Sequence, residues 1–227
     1  MDPLTEPHYG AAALITIDVQ MDTLDGQPLE VPGTSEALPN ISSLCQAFRA
    51  ARRPLVHMVR LYRADGSNAE PLRRTLVSGP TPVLRPGEPG RLLAPGLLPD
   101  QTTDLDDVRL LSGDIQTLAA DEIAVYKPRW GAFFETKLDD HLRQAGVDTL
   151  VFCGCNFPNC PRTSIYEASE RDYRIVLVED AISGFYRRAK TEMAGIGVSV
   201  LWTAEVTSGL RGQSGTTAET AIPAGHS

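Results

Sequence analysis

Residues 149–180 read TLVFCGCNFPNCPRTSIYEASERDYRIVLVED, and the spacing of apolar residues changes along this segment. A short apolar run at 150–152 leads into a turn rich in Gly, Asn and Pro, and helical spacing begins at Pro161. Proline suits the first turn of a helix, where its missing N–H costs no hydrogen bond. A second apolar run follows at 175–178. The order of strand, turn, helix and strand predicts a βαβ unit of an α/β domain.

Cys160 lies where this strand ends and the helix begins. The first N–H groups of a helix lack internal partners, and the helix dipole places partial positive charge there. We therefore expect the thiol to ionise more easily than a free one, and the thiolate is the nucleophilic form. The same N–H groups could hold an oxyanion. Cys160 is the candidate nucleophile.

Composition limits the classes of function. The chain has 227 residues with 42% hydrophobic residues, which is enough for one sizeable domain. A net charge of −8 argues against nucleic acid or an anionic membrane surface as partner. No apolar run approaches the ~20 residues of a membrane span, and MDPLTEPHYG at the N-terminus does not resemble a signal peptide. We expect a cytoplasmic protein.

The four cysteines lie at 45, 153, 155 and 160, so that three of them fall on one short segment. This clustering differs from the dispersed cysteines of a disulfide framework and fits a reducing compartment. Redox or zinc chemistry at Cys153, Cys155 and Cys160 is an alternative. However, the cysteine spacing is irregular and the histidines form no cluster with it, whereas structural zinc sites use tight pairs of ligands.

Two more chemically useful side chains follow predicted strands. The apolar run AAALITI at 11–17 predicts a central parallel strand, and Asp18 ends it. Residues 122–126 predict another strand, which Lys127 follows. The carboxyl ends of parallel strands share one edge of a sheet, so Asp18, Lys127 and Cys160 can converge there. The alternatives are that Asp18 caps a turn and that Lys127 is a surface lysine.

The remaining sequence predicts one domain with extensions at both ends. Residues 1–10 are interpreted as an N-terminal arm, 11–209 as the domain, and 210–227 as a flexible C-terminal tail rich in Gly, Ser, Thr and Ala. His57 is predicted to be a hydrogen-bonded core histidine. Further elements are expected as helices at 40–52, 114–119, 136–145 and 186–194, and strands at 54–61 and 198–203.

Residues 63–107 contain many Gly and Pro residues, which exclude long helices except a short one at 70–77. A loop of this length usually serves function or an interface. Its arginines, and those just before it, are candidates for contact with an acidic substrate group or another subunit, and solvated surface is the alternative. These arginines are Arg60, Arg63, Arg73 and Arg74.

Three segments together resemble the isochorismatase-like cysteine hydrolase superfamily, in its amidohydrolase branch. They are ALITIDVQMD at 13–22, VYKPRWGAFFET at 125–136 and VFCGCNFPNCPRTSIYEASERDYRIVLVEDAISG at 151–184. The resemblance spans residues 11 to about 205, and the order and spacing of the three segments agree with the superfamily. It implies a three-layer αβα sandwich with a doubly wound, Rossmann-like, mainly parallel six-stranded sheet.

The resemblance also implies a catalytic triad. Cys160 would attack a carbonyl carbon, Asp18 would exchange the proton, and Lys127 would hold both by charge. The backbone N–H groups of Asn156 and Cys160 would form the oxyanion hole, beside a cis peptide bond between Cys155 and Asn156. A thioester acyl-enzyme would then be hydrolysed by water.

The sequence differs from some subgroups of the superfamily in the motifs that it carries, and these differences limit which reaction is expected. Nicotinamidase-type members carry a metal-binding Asp-x-His motif after the second strand, whereas HMVRLYRADGSN at 57–68 has none, so we expect neither metal nor cofactor. Members that cleave vinyl ethers lack the cysteine, so Cys160 indicates hydrolysis of a C–N bond. The predicted function is that of a metal-independent cysteine amidohydrolase acting on a small amide, ureide or lactam, such as the lactam of streptothricin.

The substrate pocket and the assembly are further expectations. The net negative charge favours a cationic or neutral substrate over a dianion, and the resemblance implies a homo-oligomer, either a dimer or a tetramer. The alternative is a non-catalytic scaffold or binding protein of the same fold. The residues expected to line the pocket are Gln20, Arg60, Trp130, Phe133 and Phe157.

Overall fold

The computed structural model describes residues 2–98, 100 and 103–214, and within them the chain forms one seven-stranded sheet. The strand order is β3-β4-β2-β1-β5-β6-β7, with β3 antiparallel to β4 and the other pairs parallel. The predicted doubly wound, mainly parallel sheet is confirmed, with one antiparallel edge strand in addition. The strands are β1 (Ala12–Ile17), β2 (Leu55–Val59), β3 (Gln116–Ala119), β4 (Glu122–Tyr126), β5 (Thr149–Gly154), β6 (Arg174–Ile182) and β7 (Ser199–Leu201).

Helices cover both faces of the sheet and produce three layers. Buried residues of α1, α3 and α7 pack in one apolar cluster, and those of α4, α5 and α6 pack in the other. In the described part of the chain, no helix has the length and apolar character needed to cross a membrane. The helices are α1 (Thr34–Ala50), α2 (Pro71–Val77), α3 (Asp107–Leu111), α4 (Leu138–Gln144), α5 (Cys160–Ser169), α6 (Arg187–Ala194) and α7 (Thr203–Ser214).

Strand β1 is the centre of the molecule, and all of its residues are buried. Ile15 and Ile17 belong to the cluster on one face, whereas Ala12 and Leu14 belong to the cluster on the other. Successive side chains of a strand point to opposite faces, so a strand covered on both sides must be apolar throughout. This explains why β1 is apolar except for the buried Thr16, and why the charged residue Asp18 follows only where the strand ends.

Several predicted boundaries are wrong. Residues 116–119 form an edge strand and not a helix, because this short segment hydrogen-bonds to β4 and tertiary pairing overrides its weak local preference. Helix α1 begins at Thr34, so that Pro39 lies inside it and not before it. Residues 210–214, predicted as flexible tail, continue α7, where Val206 and Leu210 are buried. The rest of the predicted tail, 215–227, lies outside the described residues.

The N-terminal arm lies along the edge of the sheet where β5 and β6 begin. The His8 N–H donates to Thr149 Oγ1 at 3.0 Å, and Arg174 Nη1 donates to the carbonyl groups of Pro3 and Glu6 at 2.8 and 2.9 Å. Thr149 and Arg174 are the first residues of their strands. The arm therefore lies at the opposite edge from Asp18, Lys127 and Cys160.

The long segment at 63–107 is ordered by a small apolar cluster of its own and by the turn that follows β1. The cluster consists of Tyr62, Ala69, Val77, Val83 and Leu84. Asp22, in the turn after β1, accepts the Leu84 N–H at 2.6 Å. A Cβ on Gly90 would lie 1.9 Å from Asp22 Oδ1, so only glycine allows this approach. The segment is thereby held over the carboxyl edge of the sheet.

Candidate active site

Asp18 is held in an unusual backbone conformation immediately after β1. Its φ of 54° lies in the left-handed region, which Asp tolerates better than most residues. Its backbone N–H donates to the Met58 carbonyl at 3.0 Å. Its carbonyl accepts from Thr23 Oγ1 at 3.0 Å and from Cys155 Sγ at 3.1 Å. These contacts hold the backbone of Asp18 in this conformation.

Lys127 pairs with Asp18 in the interior, which rules out the alternative of a surface lysine. The Lys127 side chain is fully buried, and its Nζ lies 2.9 Å from Asp18 Oδ2. Nζ also donates to the Arg129 carbonyl at 3.3 Å. Removing two charges from water is costly unless their geometry compensates, so removal of either partner would leave an uncompensated buried charge. The other carboxylate oxygen, Oδ1, is buried and has no hydrogen-bond partner within the described residues.

Cys160 begins α5 beside this ion pair and is 6% exposed. Burial, followed by the charge of Asp18, raises the pKa of the Cys160 thiol to about 12, although Lys127 and Arg60 act to lower it. The predicted fall in the thiol pKa is therefore wrong, because burial and the carboxylate outweigh the helix terminus. At neutral pH the group is a thiol, and its attack on a carbonyl requires a base to take the proton. Asp18 is the charged carboxylate beside it.

Two backbone N–H groups next to Cys160 are free to bind an anion. In the described part of the chain, neither the Asn156 N–H nor the Cys160 N–H has an acceptor. The peptide bond between Cys155 and Asn156 is cis. The turn is fixed by the Phe157 N–H, which donates to the Ser183 carbonyl at 2.8 Å, and by the Asn159 N–H, which donates to the Asn156 carbonyl at 3.1 Å. Unpaired N–H groups of this kind are suited to a developing oxyanion.

A cavity opens over Asp18 and Cys160, with an empty volume of about 380 Å³ that includes part of the open solvent. Its wall combines the reactive groups with two arginines and several apolar side chains. The lining residues are Asp18, Thr23, Leu29, Val31, Arg60, Tyr62, Arg73, Leu84, Trp130, Cys155, Asn156 and Cys160.

Of the five residues predicted to line the pocket, Arg60 and Trp130 do so and the other three do not. Gln20 is fully buried, and its amide binds backbone groups: it accepts the Arg60 N–H at 2.8 Å and donates to the Arg60 carbonyl at 3.0 Å. Phe133 and Phe157 are core residues of the face that α5 covers. Gln20 supports the strand end that carries Arg60, and the two aromatic rings fill the core.

Tyr62, Thr23, Leu29, Val31 and Leu84 also line the cavity, and sequence reasoning did not find them as pocket residues. Tyr62 could have been found, because it follows β2 at the same edge as Asp18 and Lys127. The other four lie in the turns and loops after β1 and within 63–107, where no periodicity predicts which side chain faces a cavity.

The structure separates the remaining polar candidates from this site. His57 is fully buried and hydrogen-bonds to Thr16 Oγ1 at 2.8 Å and to Glu122 Oε1 at 2.9 Å, which confirms its predicted core role. All four cysteines are free thiols. Among the residues that the structure describes, no group of three or more His, Cys, Asp or Glu side chains is arranged to hold a metal ion.

Comparison with known proteins identifies related sequences and structures. A model of the isochorismatase domain matches residues 12–208. A ureidoacrylate amidohydrolase from Pantoea ananatis is 31% identical over 180 residues, which cover 74% of this chain and 68% of the relative. A probable inactive nicotinamidase from Arabidopsis thaliana is 28% identical over 194 residues, which cover 82% of this chain and 89% of the relative.

A crystal structure of a cysteine hydrolase from Pseudomonas syringae pv. phaseolicola 1448A superimposes with a TM-score of 0.74 at 25% sequence identity. The match covers 93% of this chain and 98% of that chain. The relatives thus include amidohydrolases, and they support a hydrolase of amide-like substrates. The matched domain extends from β1 into α7 and contains Asp18, Lys127 and Cys160, so this chain belongs to the isochorismatase family.

Proposed function

We propose that this protein is a metal-independent cysteine amidohydrolase that cleaves a C–N bond of a small amide, ureide or lactam through a thioester acyl-enzyme. The observation that carries the proposal is the buried ion pair between Lys127 and Asp18, 2.9 Å long, in which Asp18 lines the same cavity as Cys160. A buried carboxylate with one free oxygen next to a protonated thiol has the arrangement of a general base and its nucleophile.

In the first half-reaction, Cys160 Sγ attacks the carbonyl carbon while its proton passes to Asp18. The negative charge that forms on the carbonyl oxygen is held by the N–H groups of Asn156 and Cys160. The C–N bond then breaks, and the leaving nitrogen takes the proton from Asp18. Lys127 stays protonated throughout and stabilises the Asp18 carboxylate whenever it is charged.

In the second half-reaction, water hydrolyses the thioester. Asp18 takes a proton from the attacking water, and the same two N–H groups hold the second tetrahedral oxyanion. The C–S bond breaks, the acid product leaves, and the proton returns from Asp18 to Cys160. Protons and electrons balance over the cycle, so no cofactor is required.

The test is release of ammonia or amine from a panel of small amides, ureides and lactams. The wild type is compared with Cys160→Ala and with Cys153→Ala, a matched control whose buried thiol on β5 does not line the cavity. We expect release that disappears in Cys160→Ala and persists in Cys153→Ala. Turnover that survives in Cys160→Ala would overturn the proposal. If the wild type releases neither ammonia nor amine from any substrate of the panel, a non-catalytic scaffold would be favoured.

The proposal includes a small-molecule substrate, a cytoplasmic location and a homo-oligomer, either a dimer or a tetramer. The net charge of −8 supports the exclusion of nucleic acid and anionic membranes as partners. Size-exclusion chromatography with light scattering tests the oligomer directly, and a monomer at micromolar concentration would contradict that part.

A further inference from the structure

The wall of the cavity contains a buried guanidinium with one unused nitrogen. Arg60 is 3% exposed, and its Nη2 donates to both Glu70 oxygens, at 2.7 and 2.6 Å, and to the Tyr62 hydroxyl at 3.0 Å. Its Nη1 is buried and has no partner within the described residues. An unpaired buried donor is costly, and in functional sites the missing partner is often the ligand.

A second unused donor borders the same cavity. Trp130 lines it, and its indole Nε1 is buried with no acceptor among the residues that the structure describes. Indole N–H groups normally find an acceptor when buried. Arg60 and Trp130 both line the cavity, so Arg60 Nη1 and Trp130 Nε1 are two donors that an acceptor-bearing ligand bound there can satisfy.

The charges around the cavity do not cancel. Asp18 pairs with Lys127, and Glu70 pairs with Arg60. Arg73 also lines the cavity, and within the described chain it has no carboxylate at ion-pair distance. Two balanced pairs and one unpaired arginine leave the cavity with one excess positive charge, although the whole protein carries a net charge of −8.

We propose that the substrate is a monoanion, an amide or ureide that carries one carboxylate, which Arg60 and Arg73 bind while the scissile carbonyl lies against Cys160. This proposal rests on the proposed function and names its substrate class. It differs from the expectation of a cationic or neutral substrate, because the local field of the cavity and not the net charge acts on a bound ligand. One carboxylate is favoured over two because a single positive charge is in excess.

Both ends of such a substrate fit this cavity. Arg60 and Cys160 line this cavity together, which places them near one another. The carboxylate and the scissile carbonyl are therefore separated by only a short linker. The apolar wall of Leu29, Val31 and Leu84 suits a hydrocarbon linker of this kind.

The test measures binding without chemistry, by calorimetric titration of Cys160→Ala. The probes are the monoanions malonamate, succinamate and glutaramate, each paired with its neutral diamide of the same length. We expect at least one monoanion to bind about tenfold more tightly than its diamide, the size of one charge-assisted contact. Salt should weaken that preference. Equal binding within every pair, or binding of neither member, would overturn the proposal.

Arg73→Gln in the Cys160→Ala background should remove most of the preference for the monoanion, and it leaves the buried Arg60–Glu70 pair intact. Arg63→Gln is the matched control, because Arg63 is an exposed arginine nearby that does not line the cavity. Retention of the preference in Arg73→Gln, or equal loss in both variants, would contradict the role of Arg73. Thiol-dependent hydrolysis of neutral amides without anion preference would leave the proposed function standing and refute this inference alone.

Discussion

The structure contains two buried clusters of charged side chains, one around Glu122 and one around Asp18. They differ in how many of the carboxylate oxygens have hydrogen-bond partners. Glu122 accepts from Arg49 at both oxygens, each at 2.7 Å, and contacts His57 Nε2 at 2.9 Å. Asp18 pairs with Lys127 through one oxygen and leaves the other unsatisfied. The first group holds α1, β2 and β4 together. The second has an unused acceptor beside a thiol, which is the property that proton transfer requires.

The pKa values reflect the same difference. Burial by itself raises the pKa of Glu122, but hydrogen bonds from Arg49 and His57 outweigh it and hold that pKa below its ordinary value. Beside Asp18, burial and then the charge of that carboxylate raise the pKa of the Cys160 thiol to about 12. A satisfied charge stabilises its own cluster, whereas an incompletely satisfied charge changes the chemistry of its neighbour.

The largest expected effect is that of Asp18→Asn. Loss of the base should lower turnover by about 10²–10⁴-fold. The same substitution removes a charge that raises the Cys160 pKa, so the thiol should ionise at lower pH even as activity is lost. Rates of iodoacetamide alkylation across pH, read at Cys160 by mass spectrometry, measure this shift. An unchanged alkylation profile, or retained turnover, would refute Asp18 as the base.

Glu122→Gln should have a different effect from Asp18→Asn. It should lower the free energy of unfolding and leave turnover unchanged. A broken buried pair typically costs about 3 kcal/mol or more, and partly exposed Arg49 favours the lower end of that cost. Urea denaturation measures the free energy of unfolding, and turnover is assayed in the same preparation. A variant that keeps its stability but loses turnover would show that this cluster serves the active site after all.

His57 should make stability depend on pH. Burial, only partly opposed by Glu122, lowers the pKa of His57, so below about pH 6.5 the unfolded chain binds a proton that the folded chain does not. Stability should therefore be full above that pH and fall as the pH drops, by up to about 1.4 kcal/mol per pH unit. His57→Gln should flatten this slope in urea denaturation between about pH 5 and 6.5.

His141 is the companion control, because partial burial lowers its pKa in the same direction. If His141→Gln flattens the slope as much as His57→Gln does, the buried network around Glu122 is not the main source of the pH dependence.

The smallest effect is expected for Cys153→Ala. Burial raises the pKa of the Cys153 thiol well above its ordinary value, and the residue does not line the cavity. Removal of its sulfur should cost about 1 kcal/mol of stability and leave turnover unchanged. A measurable loss of turnover would extend the active site to the interior of β5.

The strands and helices whose residues show a clear periodicity were predicted correctly from the sequence. The apolar run at 11–17 and the change of spacing after Pro161 placed β1, β5, α5 and β6 correctly. It failed at 114–119, where pairing with β4 decides the structure, and at the two aromatic side chains of Phe133 and Phe157. An aromatic side chain beside a strand end can face either the core or a cavity. For these two residues, only the packing of α5 decides between the two orientations.

The sequence by itself determined that a carboxylate, an amine and a thiol stand at the ends of three parallel strands, because strand periodicity is local and parallel strands share an edge. Only the tertiary structure decided the state of the thiol and the charge of the cavity. The Cys160 pKa and the unpaired donors of Arg60 and Trp130 depend on burial and on side chains far away in sequence. Electrostatic interactions depend on distances and burial that exist only after the chain has folded.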